Sequence, residues 1–481
     1  MNRCRLYIWP VWLLLGALLL TACQSDVLPD ELKGGDKAAV CHTDSCYINL
    51  HIVNSRTAMT RATEAATAKE NAVYDGILCI FEGDDESTAT LRSAVVIDQL
   101  INNPGNSSSV NITQRLAGTH AYGEHLYVLA LLNTTSTGFS IKDNTLYHHS
   151  TDLTNKTIDE IQTLRIDSVG STDEHVGLFM SNAPQDGYIM PEVTDAYLYD
   201  TELAAAAGSR LTIDVERAAA RVKVTNYVST ITSINLDRDP SRHPTVHRIT
   251  WALHQYNTQS YAIRKDYTAA QNWATSVSGA GTLCAFDTNT PDIFDLFRQH
   301  SYTNGEAVYI AENTTDVSAN QTQVIVEAQL KEGSFLLGDC YLYNQWGAVI
   351  IFFTSADKFI KYCKDGWKET FSPNFYAIKD KSAEEVFKYP SLVINGNGTV
   401  TVTLTNNSFT SAERAALVDL SNTLSGLLTG FRDGKIYYTY PIRHDATHEF
   451  GVVRNNAYNL KFTNVSAIGD PVPKPITQIG P

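Results

Sequence analysis

The chain has 481 residues, 43% of them hydrophobic and 19% charged, which is typical of an ordered protein long enough for two or three domains. Its formal net charge of −15 argues against nucleic acid or an anionic membrane surface as a partner. The 24 tyrosines, with abundant threonine, asparagine, valine and isoleucine, favour strands joined by many turns.

The first residues have the pattern of a bacterial lipoprotein signal. Two arginines precede an apolar run over residues 8–20, and Leu20-Thr21-Ala22-Cys23 follows. This order predicts removal of residues 1–22 and lipidation of Cys23. The apolar run is shorter than the roughly 20 residues that a transmembrane helix needs. We therefore expect a protein tethered by lipid to the outer membrane rather than threaded through a membrane.

A polar, acidic stretch follows over residues 24–37, and either a surface-export signal or a solvated tether explains it. Residues 45–53 then have the composition and alternation of a strand. The side chains predicted to share its apolar face are those of Cys46, Ile48, Leu50 and Ile52. This strand is separated by a long polar segment from the next apolar run.

That polar segment, residues 54–70, is rich in threonine, alanine and serine and contains Arg56 and Arg61. Too few of its residues can bury apolar area to offset the entropy of ordering the chain, so we predict an exposed loop. A lone strand joined to the body by an exposed, arginine-bearing loop is the arrangement expected if proteolysis in the loop removes the strand.

The body of the chain is a succession of predicted strands, at residues 76–81, 125–132, 176–180, 211–215, 219–224, 248–253, 307–311 and 323–330. Residues 391–394 and 399–404 form a predicted hairpin across an Asn-Gly turn. Helical spacing is confined to residues 411–428, where Thr410 and Glu413 are spaced as a capping box, and to a short turn near 380–387.

These elements predict a mainly β fold of two tandem β-sandwiches, transthyretin-like or Greek-key in type, with few short helices. The predicted segments are a signal peptide (1–22), a lipidated propeptide with the removable strand (23–61), an N-terminal sandwich (62–225), a C-terminal sandwich (226–471) and a short Pro-rich tail (472–481).

The sequence predicts no catalytic residue, cofactor or metal site, and hence no enzyme. It contains no HExxH, G-x-S-x-G or P-loop pattern. The histidines that recur in pairs are predicted to be solvated loop residues rather than zinc ligands. These pairs are His120 and His125, His243 and His247, and His444 and His448.

The cysteines of the body are widely scattered, at Cys79, Cys284, Cys340 and Cys363. Their spacing indicates neither a zinc site nor a dense disulfide scaffold. We expect buried free thiols. The sequence does not decide whether one long-range disulfide forms in the C-terminal half, such as Cys340 with Cys363.

Four stretches resemble the fimbrillins of Bacteroidetes, the subunits of type V pili, most closely the major-subunit family of short fimbriae. The stretches are Val215-Glu216-Arg217-Ala218-Ala219-Ala220-Arg221-Val222-Lys223-Val224, residues 308–314 with the strand at 321–324, residues 438–444, and residues 451–460 running on to 468–471. Together with the lipoprotein signal and Thr60-Arg61-Ala62 they span nearly the whole chain.

The resemblance implies assembly by strand exchange into a surface fimbrium. An arginine-specific protease would cut between Arg61 and Ala62, with Arg56 and Thr57 as the second choice. The strand carrying Cys46 would leave, and a strand from another fimbrial subunit would fill the vacated groove by β-augmentation. Host or microbial surfaces are the adhesion partners that the resemblance suggests, and nucleic acid is not among them.

The sequence departs from the family pattern at its end. The tail over residues 472–481 contains three prolines, which remove hydrogen-bond donors and make it a poor inserted strand. This predicts either a terminal subunit, at the tip or elsewhere, or a different donor element. The alternatives to a pilin are a surface glycan-binding lipoprotein of a nutrient-uptake system, which would keep its first strand, and a surface hydrolase.

Overall fold

Strands dominate the computed structural model, which describes residues 46–54, 66–97, 100, 109–118, 120, 123–173, 175–226, 229–231, 234–265, 283–284, 297, 301–314, 320–345, 347, 349–444, 451–462, 465 and 467–474. In chain order the strands are β1 (Cys46–Asn54), β2 (Gly76–Glu82), β3 (Thr90–Val96), β4 (Ser109–Leu116), β5 (Leu126–Leu132), β6 (Phe139–Lys142), β7 (Thr145–His148), β8 (Thr151–Asp152), β9 (Arg165–Ile166), β10 (Met180–Asn182), β11 (Glu192–Val193), β12 (Leu198–Tyr199), β13 (Leu211–Arg217), β14 (Ala219–Asn226), β15 (Ser229–Thr230), β16 (Thr245–His254), β17 (Tyr256–Asn257), β18 (Ser260–Tyr261), β19 (Leu283–Cys284), β20 (Tyr302–Thr303), β21 (Ala307–Ala311), β22 (Gln323–Glu332), β23 (Phe335–Leu336), β24 (Cys340–Gln345), β25 (Val349–Phe353), β26 (Tyr389–Ile394), β27 (Val400–Thr405), β28 (Leu428–Phe431), β29 (Lys435–Pro441) and β30 (Ala457–Phe462). The α-helices of the described ranges are α1 (Ile158–Gln162), α2 (Glu202–Ala207), α3 (Ala356–Asp365), α4 (Ala383–Val386) and α5 (Ser411–Gly426). The prediction of a mainly β chain with few short helices is confirmed. No helix within these ranges is long and apolar enough to cross a membrane.

The first sheet has β1 in its interior. Its strands follow the order β12–β1–β13–β10–β5–β2–β3, with β4 also paired to β1 and β11 to β5. β1 runs antiparallel to β4 and parallel to β13, and its first residues also pair with β12. The strand predicted over residues 45–53 therefore has hydrogen-bonded neighbours on both sides.

Both faces of this sheet are covered, which explains the unbroken apolar run of β5. Val128 belongs to one core together with Ile48 and Leu50 of β1. Leu129 belongs to a second core on the other face, which also contains Phe179. A strand buried on both faces has no polar side, so its sequence loses the alternation of a half-buried strand.

The chain leaves the first sheet after β13. β14 follows after one residue and pairs antiparallel with β21 and parallel with β30. A further sheet has β16, β22 and β29 side by side, and its apolar residues share a core with those of β14 and β30. The predicted domain boundary at residues 225 and 226 falls at the end of β14.

A third core lies between β23 and β29 and is absent from the sequence prediction. Strands β24, β25 and β28 form a small sheet there, and β26 and β27 form a hairpin. Phe359, Trp367 and Leu420 are among the residues of this core. The hairpin has the predicted pairing, and α5 begins with the predicted capping box of Thr410 and Glu413.

Helix α3 contributes to this core and is also absent from the prediction. Ser355 caps it, its hydroxyl accepting a hydrogen bond from the backbone nitrogen of Lys358 at 3.3 Å. The buried residues of the helix are Phe359, Ile360 and Cys363. Ala356, Phe359, Ile360 and Cys363 recur at the spacing of one helical face, so the helical period is present in the sequence and the prediction overlooked it.

The strand predicted over residues 176–180 is wrong in position, because β10 begins only at Met180. Gly177 has a φ of +71°, in the left-handed region. A β-carbon on Gly177 would lie 2.4 Å from Nδ2 of Asn133, whose side chain is buried. The residue therefore makes a turn against Asn133, and the strand starts beyond it.

Two of the histidines predicted to be solvated are buried instead, namely His120 and His444. Burial lowers the pKa of His120. Nδ1 of His444 lies 2.7 Å from the hydroxyl oxygen of Tyr458. Tertiary packing covers both rings, and loop sequences carry no periodic pattern that would reveal it. His448 lies outside the described residues.

The prediction of buried free thiols is confirmed for Cys79, Cys340 and Cys363. The disulfide between Cys340 and Cys363, which the sequence left undecided, is therefore not formed. Burial raises the pKa of all three thiols, that of Cys340 to about 12, so they are inert as nucleophiles. The side chain of Cys284 is outside the described part of the structure.

Candidate functional site

The first strand fills a groove in the first sheet. The four residues predicted to share its apolar face are each no more than 2% exposed; they are Cys46, Ile48, Leu50 and Ile52. The last three belong to the core that β13 and β5 also line. The strand prediction is confirmed, and removal of the strand stays a prediction.

The walls of this groove are β4 and β13. Residues 46–53 of β1 lie opposite residues 109–116 of β4, in antiparallel register. Residues 50–54 lie opposite residues 211–215 of β13. Among the strands that the structure describes, β4 is paired with β1 alone. The pairing of β4 thus depends on whatever strand occupies the groove.

One end of the groove is closed on the outer face as well. Asn49 points away from the Ile48 side, yet it is only 2% exposed, and its Nδ2 donates a hydrogen bond to the carbonyl oxygen of Gly208 at 3.2 Å. Gly208 ends α2, and a β-carbon on it would lie 2.2 Å from the ring of Tyr199 in β12. His51, on the same outer face, is only half-buried.

The chain that leaves the groove returns to the same place. Nδ2 of Asn54, the last residue of β1, donates to Oδ1 of Asn71 at 3.0 Å. The same oxygen accepts a hydrogen bond from Nη1 of Arg217 at 3.0 Å. Asn71 therefore holds the end of β1 to the end of β13, and the chain between Asn54 and Asn71 joins two residues that are already in contact.

Glu70 fixes the returning chain from the other side. Its buried carboxylate accepts hydrogen bonds from Nη1 of Arg221 at 3.0 and 3.2 Å and from the backbone nitrogen of Thr67 at 2.5 Å. Burial and, next, the nearby Glu70 carboxylate raise the pKa of Tyr309. The first turn after the loop is thereby anchored on β14.

Two more buried ion pairs involve residues of the stretches that carry the family resemblance, namely Glu216, Glu312 and Arg454. Oε2 of Glu216 is 2.6 Å from Nη2 of Arg264, and Oε1 of Glu312 is 2.6 Å from Nη2 of Arg454. Buried charges are stable only when paired, so the charged residues within these apolar stretches have a structural explanation. They hold segments that are distant in sequence.

Residues 260–264 are one such segment. They follow β16 of the further sheet, yet Ala262 and Ile263 pack in a core of the first sheet. Ser181 Oγ donates to the carbonyl oxygen of Ala262 at 2.9 Å, and Arg454 Nη2 donates to that of Tyr261 at 2.7 Å. This strap of residues 260–264 connects the two sheets through polar and apolar contacts.

Sequence reasoning missed Glu70, Asn71 and Arg264. The one signal in the sequence was a set of charged residues among the apolar ones at residues 215–224, which indicates buried partners; the set is Glu216, Arg217, Arg221 and Lys223. The identity of those partners depends on long-range packing that no local pattern encodes.

The predicted lipidation and cleavage residues lie outside the described residues. They are Cys23, Arg56, Thr57, Arg61 and Ala62. Their roles stay predictions.

His254 makes stability depend on pH. It is 5% exposed at the end of β16, and burial lowers its pKa from 6.5 to about 4. The unfolded chain therefore binds the proton at higher pH than the folded chain, so this stabilisation is complete above about pH 6.5 and lost as pH falls through about 4. We expect the free energy of unfolding, measured by urea titration at pH 7.5, 5.5 and 4.5, to fall by up to about 3 kcal/mol because of this residue.

His254→Gln should remove that part of the acid loss. His125→Gln is the matched control, because the His125 side chain is 55% exposed beside Glu192. The interpretation is contradicted if the two variants have the same pH dependence.

Comparison with known proteins gives one family match. Residues 429–479 match the model described as "Major fimbrial subunit protein type IV, Fimbrillin, C-terminal". That segment contains β29 and β30 and the last two resembling stretches, including Arg454. No curated protein matches the chain.

Two solved structures show weaker similarity. A fimbrilin from Porphyromonas gingivalis W83 is 11% identical, with 89% of this chain and 92% of that chain covered and a TM-score of 0.38. A fimbrial assembly protein from Parabacteroides distasonis ATCC 8503 is 12% identical, with 60% and 85% covered and a TM-score of 0.33. At these TM-scores neither structure carries an argument about this chain.

Proposed function

From the match of residues 429–479 to a fimbrillin C-terminal domain, we propose that the protein is a structural and adhesive subunit of a surface fimbrium. It is exported as a lipoprotein anchored at Cys23, cut after Arg61, and assembled by exchange of β1 for a strand of another subunit. In this proposal the chain is divided into an N-terminal sandwich over residues 62–225 and a C-terminal sandwich over 226–471.

The observation that carries the proposal is the position of β1. It is an interior strand, hydrogen-bonded on both sides, yet covalently joined to the body only through a segment whose ends meet at Asn54 and Asn71. A cut in that segment leaves the anchored residues Glu70 and Asn71 where they are. Cleavage therefore changes the connectivity of β1 without requiring any other part of the fold to move.

The energetics favour refilling of the groove. Burial of an aliphatic side chain contributes roughly 1.5–3 kcal/mol, and β1 buries Ile48, Leu50 and Ile52 in one core. Departure of the strand exposes that core and two strand edges to water, which is unfavourable until another strand is added. A strand of a second subunit recovers this free energy by β-augmentation.

Processing gives the direct test. The precursor over residues 23–481, treated with an arginine-specific protease, should yield a new N-terminus at Ala62 by N-terminal sequencing, followed by assembly or by uptake of a strand peptide. Arg61→Ala should shift or block the cut, and Arg56→Ala with Arg61→Ala should leave the precursor intact and lipid-anchored in cells.

Arg210→Ala is the matched control, because Arg210 is exposed just before β13 but lies in no predicted cleavage loop. It should be processed like the wild type. Unchanged maturation of the double variant would show that these arginines are not the cleavage sites. A protein that resists the protease and stays monomeric would favour the glycan-binding lipoprotein instead.

A further inference from the structure

The apolar face of β1 does not by itself fix the register of a strand in the groove. Ile48, Leu50 and Ile52 are aliphatic residues of similar size at intervals of two. A slip by one residue turns this face to solvent and is strongly disfavoured. A slip by two residues still presents aliphatic side chains to the core, so the apolar pattern alone leaves several registers close in energy.

Asn49, on the opposite face of β1, distinguishes one register from the others. Its amide is buried and donates to the Gly208 carbonyl oxygen at 3.2 Å. A slip by two residues would bring Tyr47 or His51 to the same place, and both carry rings larger than an amide. Gly208 itself packs against the Tyr199 ring, which lies 2.2 Å from where its β-carbon would stand, so Gly208 has little room to retreat from a larger side chain.

We propose that the Gly208 carbonyl selects the register of any strand in the groove by requiring an amide donor at the position of Asn49. This inference rests on the proposed strand exchange, in which the occupant is a strand of a second subunit. A buried asparagine fixes the alignment of coiled coils in the same way, because every other alignment leaves a buried polar group unsatisfied. The donor strand is thereby specified as alternating aliphatic residues with an asparagine or glutamine on the opposite face.

Cross-linking reads the register directly. His51 lies opposite Asn111 of β4, and a slip by two residues would place it opposite Ser109 or Thr113. The probe is a synthetic peptide of residues 45–54 with Cys46→Ser and His51→Cys. The receptor is the precursor over residues 23–481, carrying Asn111→Cys, Ser109→Cys or Thr113→Cys, cut in the arginine-bearing loop, freed of β1 in urea and refolded with the peptide. The described native thiols of the body are buried and do not compete.

The peptide with Asn49 should form its disulfide with the Asn111→Cys receptor about tenfold in excess over the other two. The same peptide with Asn49→Leu should bind about fivefold more weakly and cross-link to all three positions. Tyr47→Phe in the peptide is the matched control on the same face and should leave both readouts unchanged.

Two results overturn the inference, and they are distinguishable. If the Asn49→Leu peptide enters the groove and still cross-links only to Asn111→Cys, Asn49 does not set the register, while strand exchange stands. If no peptide, including the one with Asn49, enters the cut protein, strand exchange itself is wrong and the register inference falls with it.

Discussion

Replacing Ile48 and Leu50 together with aspartate should lower the free energy of unfolding of the precursor by at least about 5 kcal/mol. Both side chains are fully buried in a core of the first sheet. The substitutions remove aliphatic contacts and place two carboxylates where no water reaches them. Because the free energy of unfolding of a domain is only about 5–15 kcal/mol, urea titration should show no cooperative unfolding transition for the first sheet.

Tyr47→Asp is the matched control, since Tyr47 lies in the same strand but on the half-buried outer face. It should cost no more than about 1 kcal/mol. If the double variant unfolds at the same urea concentration as the wild type, β1 is only a tether, and the groove that it fills has no energetic role.

Replacing Arg454 with methionine should cost about 3–5 kcal/mol, because the carboxylate of Glu312 would stay buried without its charged partner. Both side chains are completely buried, and Arg454 also donates to Ser260 Oγ at 3.0 Å. The variant therefore loses one anchor of the strap of residues 260–264. Urea denaturation of the full precursor measures the loss.

Lys361→Met is the control for charge removal as such. The ion pair of Lys361 and Asp365 is 74% and 64% exposed, and its loss should cost at most about 0.5 kcal/mol. Arg454→Met combined with Glu312→Leu should recover part of the stability, because no unpaired charge is left. A double variant as unstable as the sum of its single variants would mean that the two residues are not coupled.

Much of the strand content is predictable because it depends on local pattern. The alternation in β1 and β13 and the Asn-Gly turn between β26 and β27 are read from neighbouring residues alone. The third core is different, since the helical face of α3 is readable from its sequence, but only tertiary contacts show that α3, α5 and two small sheets share one core. Gly177 shows the same limit, because a turn against Asn133 looks like part of an apolar strand in sequence.

The candidate site divides in the same way. The buried face of β1 follows from its period of two, but its two neighbours, β4 and β13, are distant in sequence, and nothing local indicates that they flank it. The prediction of an exposed loop over residues 54–70 is wrong for Glu70, which is buried, because its partner Arg221 lies about 150 residues away in sequence. Asn71, just beyond that loop, has an equally distant partner in Arg217. Such contacts exist only once the chain has folded.

Strand β4 has a consequence for the thermodynamics of assembly. Among the described strands it pairs with β1 alone, so in the proposed exchange an incoming strand must align two strands rather than dock onto a finished surface. Fixing the backbone of a residue costs about 1–2 kcal/mol, and β4 has 8 residues. Polymerisation would then be coupled to local folding, and its driving force would be the small difference between a large gain in contacts and a large loss of chain entropy.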